Sequence, residues 1–420
     1  MTRIHNCYLK KVNRTIYIGE KINSYTIIQF CSAIEYVQKL EYKEITVDFG
    51  KVRKVFPNGI LPIICTIDFY RQKNLKIYIR LPQNDDIRRL FRSVNWAYYL
   101  SPGQFEKSES FYDKHLVTKR FETAEEQKKV VDEFMDVVLR NMQIPKDIIS
   151  ALEWSINEIT DNVLNHSESK FGGLIQASTY IKEKKIVFAV ADSGRGILKS
   201  MQEGYPNLRT ELTAIGEAIK AGVTRNPKFG QGNGLAGSLR ITNLTGGSLE
   251  ILSGNGRLKV TEIETNRRPF KNIFYKGTLV CGEINIVEDF SISAALDFGG
   301  SGNYIPTNII DTKYEMEDEN CLIVKMAEET TGFGSRKSGV QIRNKVNNLM
   351  NAKPKFPIII DWAGIPVISS SFADEFIGKL FLEMGAMHFT ATIKNKGMEN
   401  LIRGLLDKAI AQRLTQALDE

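Results

Sequence analysis

Five cysteines in 420 residues, at 7, 31, 65, 281 and 321, never come as a C-x-x-C pair. Scattered and odd in number, they argue against a disulfide framework and against a zinc site. Long apolar runs are missing too. The longest candidate, GILPIICTIDF, is interrupted by Asp68 and is too short to span a bilayer. The opening residues, MTRIHNCYLKKVNRT, hold no apolar h-region, so the chain reads as cytoplasmic, without a membrane partner. A dense Lys/Arg run is also absent. The net charge of +7 is spread along the chain, which disfavours a nucleic-acid partner.

What remains is ordinary globular material, with 42% hydrophobic and 25% charged residues, long enough for two or three domains. Three blocks are expected. Residues 1–105 hold strand-like EITVDFG and LKIYIRL around a partly helical NGILPIICTIDFYRQ. SPGQFEKSESFYDK, polar and turn-rich, reads as a linker. Residues 118–288 open with a capping-box pattern, Thr123 and Glu126, ahead of a helix; a second helix runs from after Pro145 to about His166. Strands at GGLIQASTYI, KIVFAVAD, GGSLEILS, RLKVTEI and GTLVCGEI follow, with a glycine-studded loop and one helical insert between the second and third. This order predicts an α+β sandwich with helices on one face of a mixed sheet. Residues 289–320 read as a linker, and 321–420 alternate strand and helix, with strands at CLIVKMA, FPIIIDW and HFTATIK. The outer blocks share a pattern of apolar strand, Asp, aromatic, loop and apolar helix: Asp48 lines up with Asp361 and Phe49 with Trp362. A diverged duplication would explain it, as would the general likeness of two α/β segments.

The chemistry concentrates in the middle block. In the stretch INEITDN, Leu152, Ile156, Ile159 and Val163 form an apolar stripe, while Ser155, Glu158, Asn162 and Asn165 fall on an adjacent face. A carboxylate and an amide one turn apart can point into a pocket together; E-x-x-x-N also describes a solvated face. In ADSGRGI, Asp192 closes a strand, where a buried carboxylate can accept from an exocyclic amine, and Gly194 and Gly196 let backbone approach a flat ring. In KFGQGNGLAGS, Gly230, Gly232, Gly234 and Gly237 precede a helix, so that successive N–H groups can face an anion. The spacing is neither a P-loop nor a Rossmann fingerprint. Thr278 begins a late strand, where its hydroxyl could reach a bound base.

In this order and on these elements, the four motifs resemble those of the GHKL (Bergerat-fold) ATPases, a group that includes sensor kinases and anti-sigma serine kinases. The resemblance covers roughly residues 120–288. It implies ATP and Mg²⁺ as cofactors, with Asn162 holding the metal, Asp192 reading the adenine amine and Thr278 assisting through water. It implies that Gly230, Gly232, Asn233 and Gly234 wrap the phosphates beside Leu235, under a lid from about Lys199 to Phe229. Glu158 takes the place of the general base. His166 resembles the histidine of the kinase versions, but an ordinary surface or helix-ending histidine is the favoured reading. His115 lies in a linker-like stretch, so a two-component kinase is not expected.

FPIIIDWAGIPVISSSFADEF resembles the STAS domains of anti-anti-sigma factors. Ser370 falls on that family's phosphoacceptor position, with Ser369 and Phe372 in place of the usual Asp and Gly. A serine run there is also a common helix N-cap. The first block has Phe56-Pro57 at the same place, a docking surface without a hydroxyl. The expectation is an ATPase switch that engages a protein partner through STAS-like domains. The alternatives are a serine kinase acting on Ser370 or on a partner, and an ATP-gated module without hydrolysis. GHKL kinship also implies a homodimer. Bacterial regulation, stress signalling and antiphage defence all suit this architecture.

Overall fold

A computed structural model of the chain describes residues 7–10, 13–108, 115–220, 222, 233–271, 273–298, 305–316, 319–329 and 332–419. The fold is α+β. It divides into two compact units, Met1–Phe134 with Ala151–Tyr304, and Met135–Ser150 with Ile305–Glu420.

The first unit is built on a seven-stranded sheet. Its spatial order is Thr265–Pro269, Gly256–Thr261, Ser248–Gly254, Tyr275–Asn285, Lys185–Asp192, Gly173–Tyr180 and His115–Phe121. Every neighbouring pair is antiparallel, so this sheet is not the mixed one expected. The outermost strand at one edge begins at His115, inside the stretch read as linker. The register Leu174↔Ala191↔Leu279↔Leu252 puts these apolar side chains on one face. Ile175, Val190, Val280 and Ile251 lie on the other face, with Asp192. Strands apolar on both faces need a cover on both.

On the Asp192 face lie the helices Lys146–Asn162 and Gly234–Leu244. Any side chain at Gly173 would strike the Phe121 ring, with Val163 close by, and one at Gly237 would strike Trp154, so both positions require glycine's bare backbone. Thr123 Oγ1 accepts from the Glu126 amide at the start of the helix Ala124–Asn141, as its capping pattern predicts. Gln127 then donates to Thr160 and Asp161, tying this helix to its neighbour (both 2.8 Å).

The opposite face is covered as well, contrary to the one-sided expectation. The cover is the N-terminal layer, a sheet of Cys7–Lys10, Thr15–Ile18, Glu44–Asp48 and Lys76–Arg80 with the helices Ser24–Lys39 and Pro57–Gln72. Ile60, Ile63, Ile64 and Cys65 share one core with Leu174, Ala189, Ala191, Leu252 and Leu279 of the large sheet. A helix buried on all sides reads as apolar all round, which is what GILPIICTI is. Polar contacts fix the register of the two layers. Arg120 pairs with Asp68, Asn58 donates to Glu250 (3.0 Å), and Arg257 bonds Glu250 (2.7 Å) while lying over the Tyr25 ring (4.6 Å).

The second unit repeats the plan of the N-terminal layer. Glu315–Met316 runs antiparallel to Cys321–Lys325, and Cys321–Lys325, Ile358–Asp361 and Ile393–Lys396 run parallel in that order. Crossover helices occupy Arg336–Ala352 and 370–384. HFTATIK is mostly helix rather than strand: Ala386–Thr392 is helical and the strand starts at Ile393. Gly385, at φ +75°, opens that turn, Phe389 packs on Phe381 (5.2 Å), and Ile393 is the first residue to pair with Ile358. The stretch 289–320 carries structure where it is described, with the short helix Ile292–Ala295 in the first unit and buried Ile309, Ile310 and Tyr314 in the second. Inside the second unit the fully buried Lys345 pairs with Asp136 and Glu329, and Arg140 bridges the same two carboxylates (2.6 and 3.2 Å). Burial alone would raise the Asp136 carboxyl, but Lys345 and Arg140 outweigh it and hold the pKa at about 2.

Candidate functional site

The apolar stripe Ile148, Ile149, Leu152, Ile156, Ile159 anchors the helix Lys146–Asn162 and turns Glu158 along its flank. Ser155 is fully buried and belongs to the core, not to a shared polar face. The α-helix ends at Asn162, and Val163–Ser167 winds as a π-turn. The wider turn changes the angular step, leaving Asn165 exposed while Glu158 and Asn162 remain one α-turn apart, both half-buried. Burial, with Asp161 nearby, pushes the Glu158 carboxyl up to about 7. Its Oε2 faces the backbone of Gly234, where any Cβ would collide with it.

Asp192 closes its strand at 2% exposure. Its Oδ1 accepts from the Gly194 amide (2.7 Å), and the carboxyl also accepts from the Thr278 amide. Burial pushes its pKa up to about 7, and those two amides pull only part of the way back. The loop that follows is stitched to the end of the π-turn. Arg195 N donates to Ser167 O (2.8 Å), Arg195 Nε donates to His166 O (3.0 Å), and a Cβ at Gly194 would strike Ser167 O. Gly196, at φ +80°, starts the helix Gly196–Met201.

Gly230 and Gly232 lie outside the described residues, as does most of the expected lid beyond Lys220. The lid's described part holds the helix Glu211–Ala218, capped by Thr210. Asn233 stands at the N-cap position of the helix Gly234–Leu244, and its Oδ1 accepts from the Gly222 amide (2.9 Å) rather than from the helix's first turn. Gly234 is buried and Leu235 half-buried. Gly237, read in the sequence as part of an anion cradle, is used for packing against Trp154.

The fold therefore brings together segments from four parts of the sequence: 158–167, 192–197, 233–235 and 275–278. Glu158 meets Gly234, and Asp192 meets Gly194 and Thr278. Three participants escaped the sequence reading. Tyr275 donates from its hydroxyl to the Asp192 carbonyl (2.6 Å). Ser253 accepts from the Ile197 amide (2.9 Å) and donates to the Gly277 carbonyl (3.3 Å). Ser167 receives the loop as described. A serine in a strand and a tyrosine before a glycine carry no local signal of such roles. Ser370 sits in the second unit as the first residue of a helical segment, exposed, while Ser369 accepts the Phe372 amide as the N-cap (3.1 Å).

Comparison with known proteins bears on the C-terminal part. Residues 338–403 match the model of a STAS-like domain of unknown function (DUF4325), so a STAS-like domain lies there. No family match supports the ATP-binding reading of the middle block. No curated protein matches the chain. Among the described residues no helix is long and apolar enough to cross a membrane.

Proposed function

We propose that the middle of the chain binds a magnesium-complexed adenine nucleotide in the GHKL manner, and that this binding sets how the STAS-like parts engage a protein partner. The observation that carries the reading is Asp192. It is a buried carboxylate at a strand end, held by backbone amides alone in the bonds that set its ionisation. A carboxylate so placed has acceptor capacity left for an amine donor, and the exocyclic amine of adenine is one. Gly194 and Gly277 keep the surrounding backbone close and bare.

In this reading Asn162 would hold Mg²⁺, which takes few protein ligands because phosphate oxygens and water complete its shell. The described residues contain no cluster of three His, Cys, Asp or Glu that could hold a metal by themselves. The amides of Asn233, Gly234 and Leu235, at the start of an eleven-residue helix, face the phosphates with the positive end of the helix dipole. Glu158 orients the attacking water or hydroxyl and accepts its proton. A base with a pKa of about 7 suits that task at neutral pH. The N-terminal layer is read as a diverged STAS-like copy, supported by its strand order and by Asp48, which pairs with Arg80 as Asp361 pairs with Lys396.

A second reading, phosphoryl transfer to serine, draws on one observation. Ser369 takes the capping role, which leaves the exposed Ser370 hydroxyl available.

Titrating ATP with Mg²⁺ into the folded protein in a calorimeter tests the proposal. Saturable heat with a one-to-one endpoint is expected. Its absence, in material shown by circular dichroism to be folded, would overturn the reading.

A further inference from the structure

Asp192 is held from behind as well as from the side. The ladder between Lys185–Asp192 and Tyr275–Asn285 has its last pair at Ala191↔Leu279, so the Asp192 carbonyl lies one step beyond regular pairing. The fully buried Tyr275 fills that step, its hydroxyl donating to the carbonyl at 2.6 Å. Gly277, at φ +123°, closes on the same carbonyl so tightly that a Cβ there could not be accommodated. Behind the phenol stands the N-terminal layer. The Cys65 thiol of the helix Pro57–Gln72 lies beside the Tyr275 hydroxyl, and both residues belong to the core shared by the two layers.

We propose that Tyr275 is a positioning residue for base selectivity: its hydroxyl fixes the strand end so that Asp192 distinguishes a 6-amino purine from a 6-oxo purine. The inference rests on the nucleotide reading above and deepens it. Hydrogen bonds weaken steeply once the donor angle opens, so a carboxylate released by a few tenths of an ångström loses the amine first. Contacts to ribose and phosphate come from other segments and are indifferent to that movement. The helix Pro57–Gln72 becomes part of the reading apparatus through Cys65, although it never touches the base.

Tyr275→Phe keeps the ring and removes only the donor. Calorimetric titrations of ATP and of GTP, each with Mg²⁺, are run on wild type and variant. The expected result is an ATP Kd about tenfold weaker with the GTP Kd unchanged, so that the ratio of GTP Kd to ATP Kd falls about tenfold. A merely structural role would weaken both nucleotides equally, and an unchanged ratio overturns the inference. Wild-type protein that binds neither nucleotide overturns the underlying reading along with it, whereas wild-type binding with an unmoved ratio overturns this inference alone. Should Tyr275→Phe not fold, Cys65→Ala, which retains the phenol and opens space behind it, lowers the same ratio by a smaller factor. No change there counts against the inference equally.

Discussion

Replacing Asp192 with Asn should stabilise the empty protein at high pH while damaging nucleotide binding. The carboxyl is buried, and its pKa moves from 3.8 to about 7 on folding. Between these two values the folded chain holds a proton that the unfolded chain has released. A raised acid therefore contributes most below pH 3.8, and that contribution is lost as pH rises through 7. At 1.36 kcal/mol for each pH step, ionising Asp192 in place costs about 4 kcal/mol above pH 7, an upper bound. Asparagine removes this cost, but its amide group leaves one of the donors, Gly194 or Thr278, short of an acceptor, at about 1–3 kcal/mol. The donor penalty does not depend on pH; the ionisation cost does. From pH 5 to pH 8 the stability of Asp192→Asn relative to wild type should rise by about 3 kcal/mol, two pH steps' worth. The Glu158 carboxyl titrates in the same range but is common to both proteins and cancels. Urea melts at half-unit pH intervals measure the difference directly, and calorimetry at pH 8 should show ATP affinity reduced by roughly tenfold or more. A stability difference that stays flat from pH 5 to pH 8 would refute the reasoning, because Asp192 would then not be ionising at a buried site.

Glu158→Gln should leave the ATP Kd within about a factor of three and cut single-turnover hydrolysis by about 10²–10⁴; wild-type hydrolysis should rise with pH through about 7, since only the ionised form accepts the proton. Lys345→Met should cost about 3 kcal/mol in a urea melt, because Asp136 and Glu329 would lose the fully buried one of their cations and keep Arg140. The Asp136 carboxyl, held at about 2, contributes stability above its unfolded value of 3.8 that is lost as pH falls through about 2. With radiolabelled ATP, Ser370→Ala should abolish any label on this chain, whereas Ser369→Ala should keep the label and lower stability by about 1 kcal/mol through loss of the N-cap; label persisting in Ser370→Ala would place the acceptor elsewhere.

Much of the middle block could be read from local pattern. The short apolar run in KIVFAVAD marks a strand, the D-x-G-x-G ending marks its sharp exit, and Thr123 with Glu126 marks a helix start. What could not be read were relations across long separations. GILPIICTI announces a helix buried on all sides, but nothing in it says that one of its covers is a second sheet more than a hundred residues away. The bond from Tyr275 to Asp192 spans 83 positions and leaves no trace in either neighbourhood. HFTATIK misled for a different reason. Its threonines favour strand, but the register with Ile358 and the packing of Phe389 decide where extension begins. HLVTKRF was hidden because polar, turn-rich sequence precedes it, though the strand itself is ordinary.

The two α/β layers show why such a fold needs an outer cover. With Asp48 set on Asp361, the helices Pro57–Gln72 and 370–384 align without a gap. Cys65 then corresponds to Gly378, Leu61 to Asp374 and Asp68 to Phe381. In the N-terminal layer this face meets the seven-stranded sheet, through Cys65 at Tyr275 and Asp68 at Arg120. In the C-terminal unit the closing helix Asn400–Asp419 covers it. Gly378 lies under the Ala409 carbonyl, and Arg413 grips Asp374 with two bonds of 2.7 and 2.8 Å. One is an apolar seal against a sheet with a single ion pair, Asp68 to Arg120, beside it; the other is a glycine contact fastened by a charged fork. The match to the STAS-like family ends at residue 403, before Ala409 and Arg413. The cover is therefore the part of each layer that differs, while the parallel strands, the Asp and the buried aromatic stay the same. A helix apolar on its outer side cannot be left facing water, and what each copy packs there decides whether it is bound into a larger sheet or closed on itself.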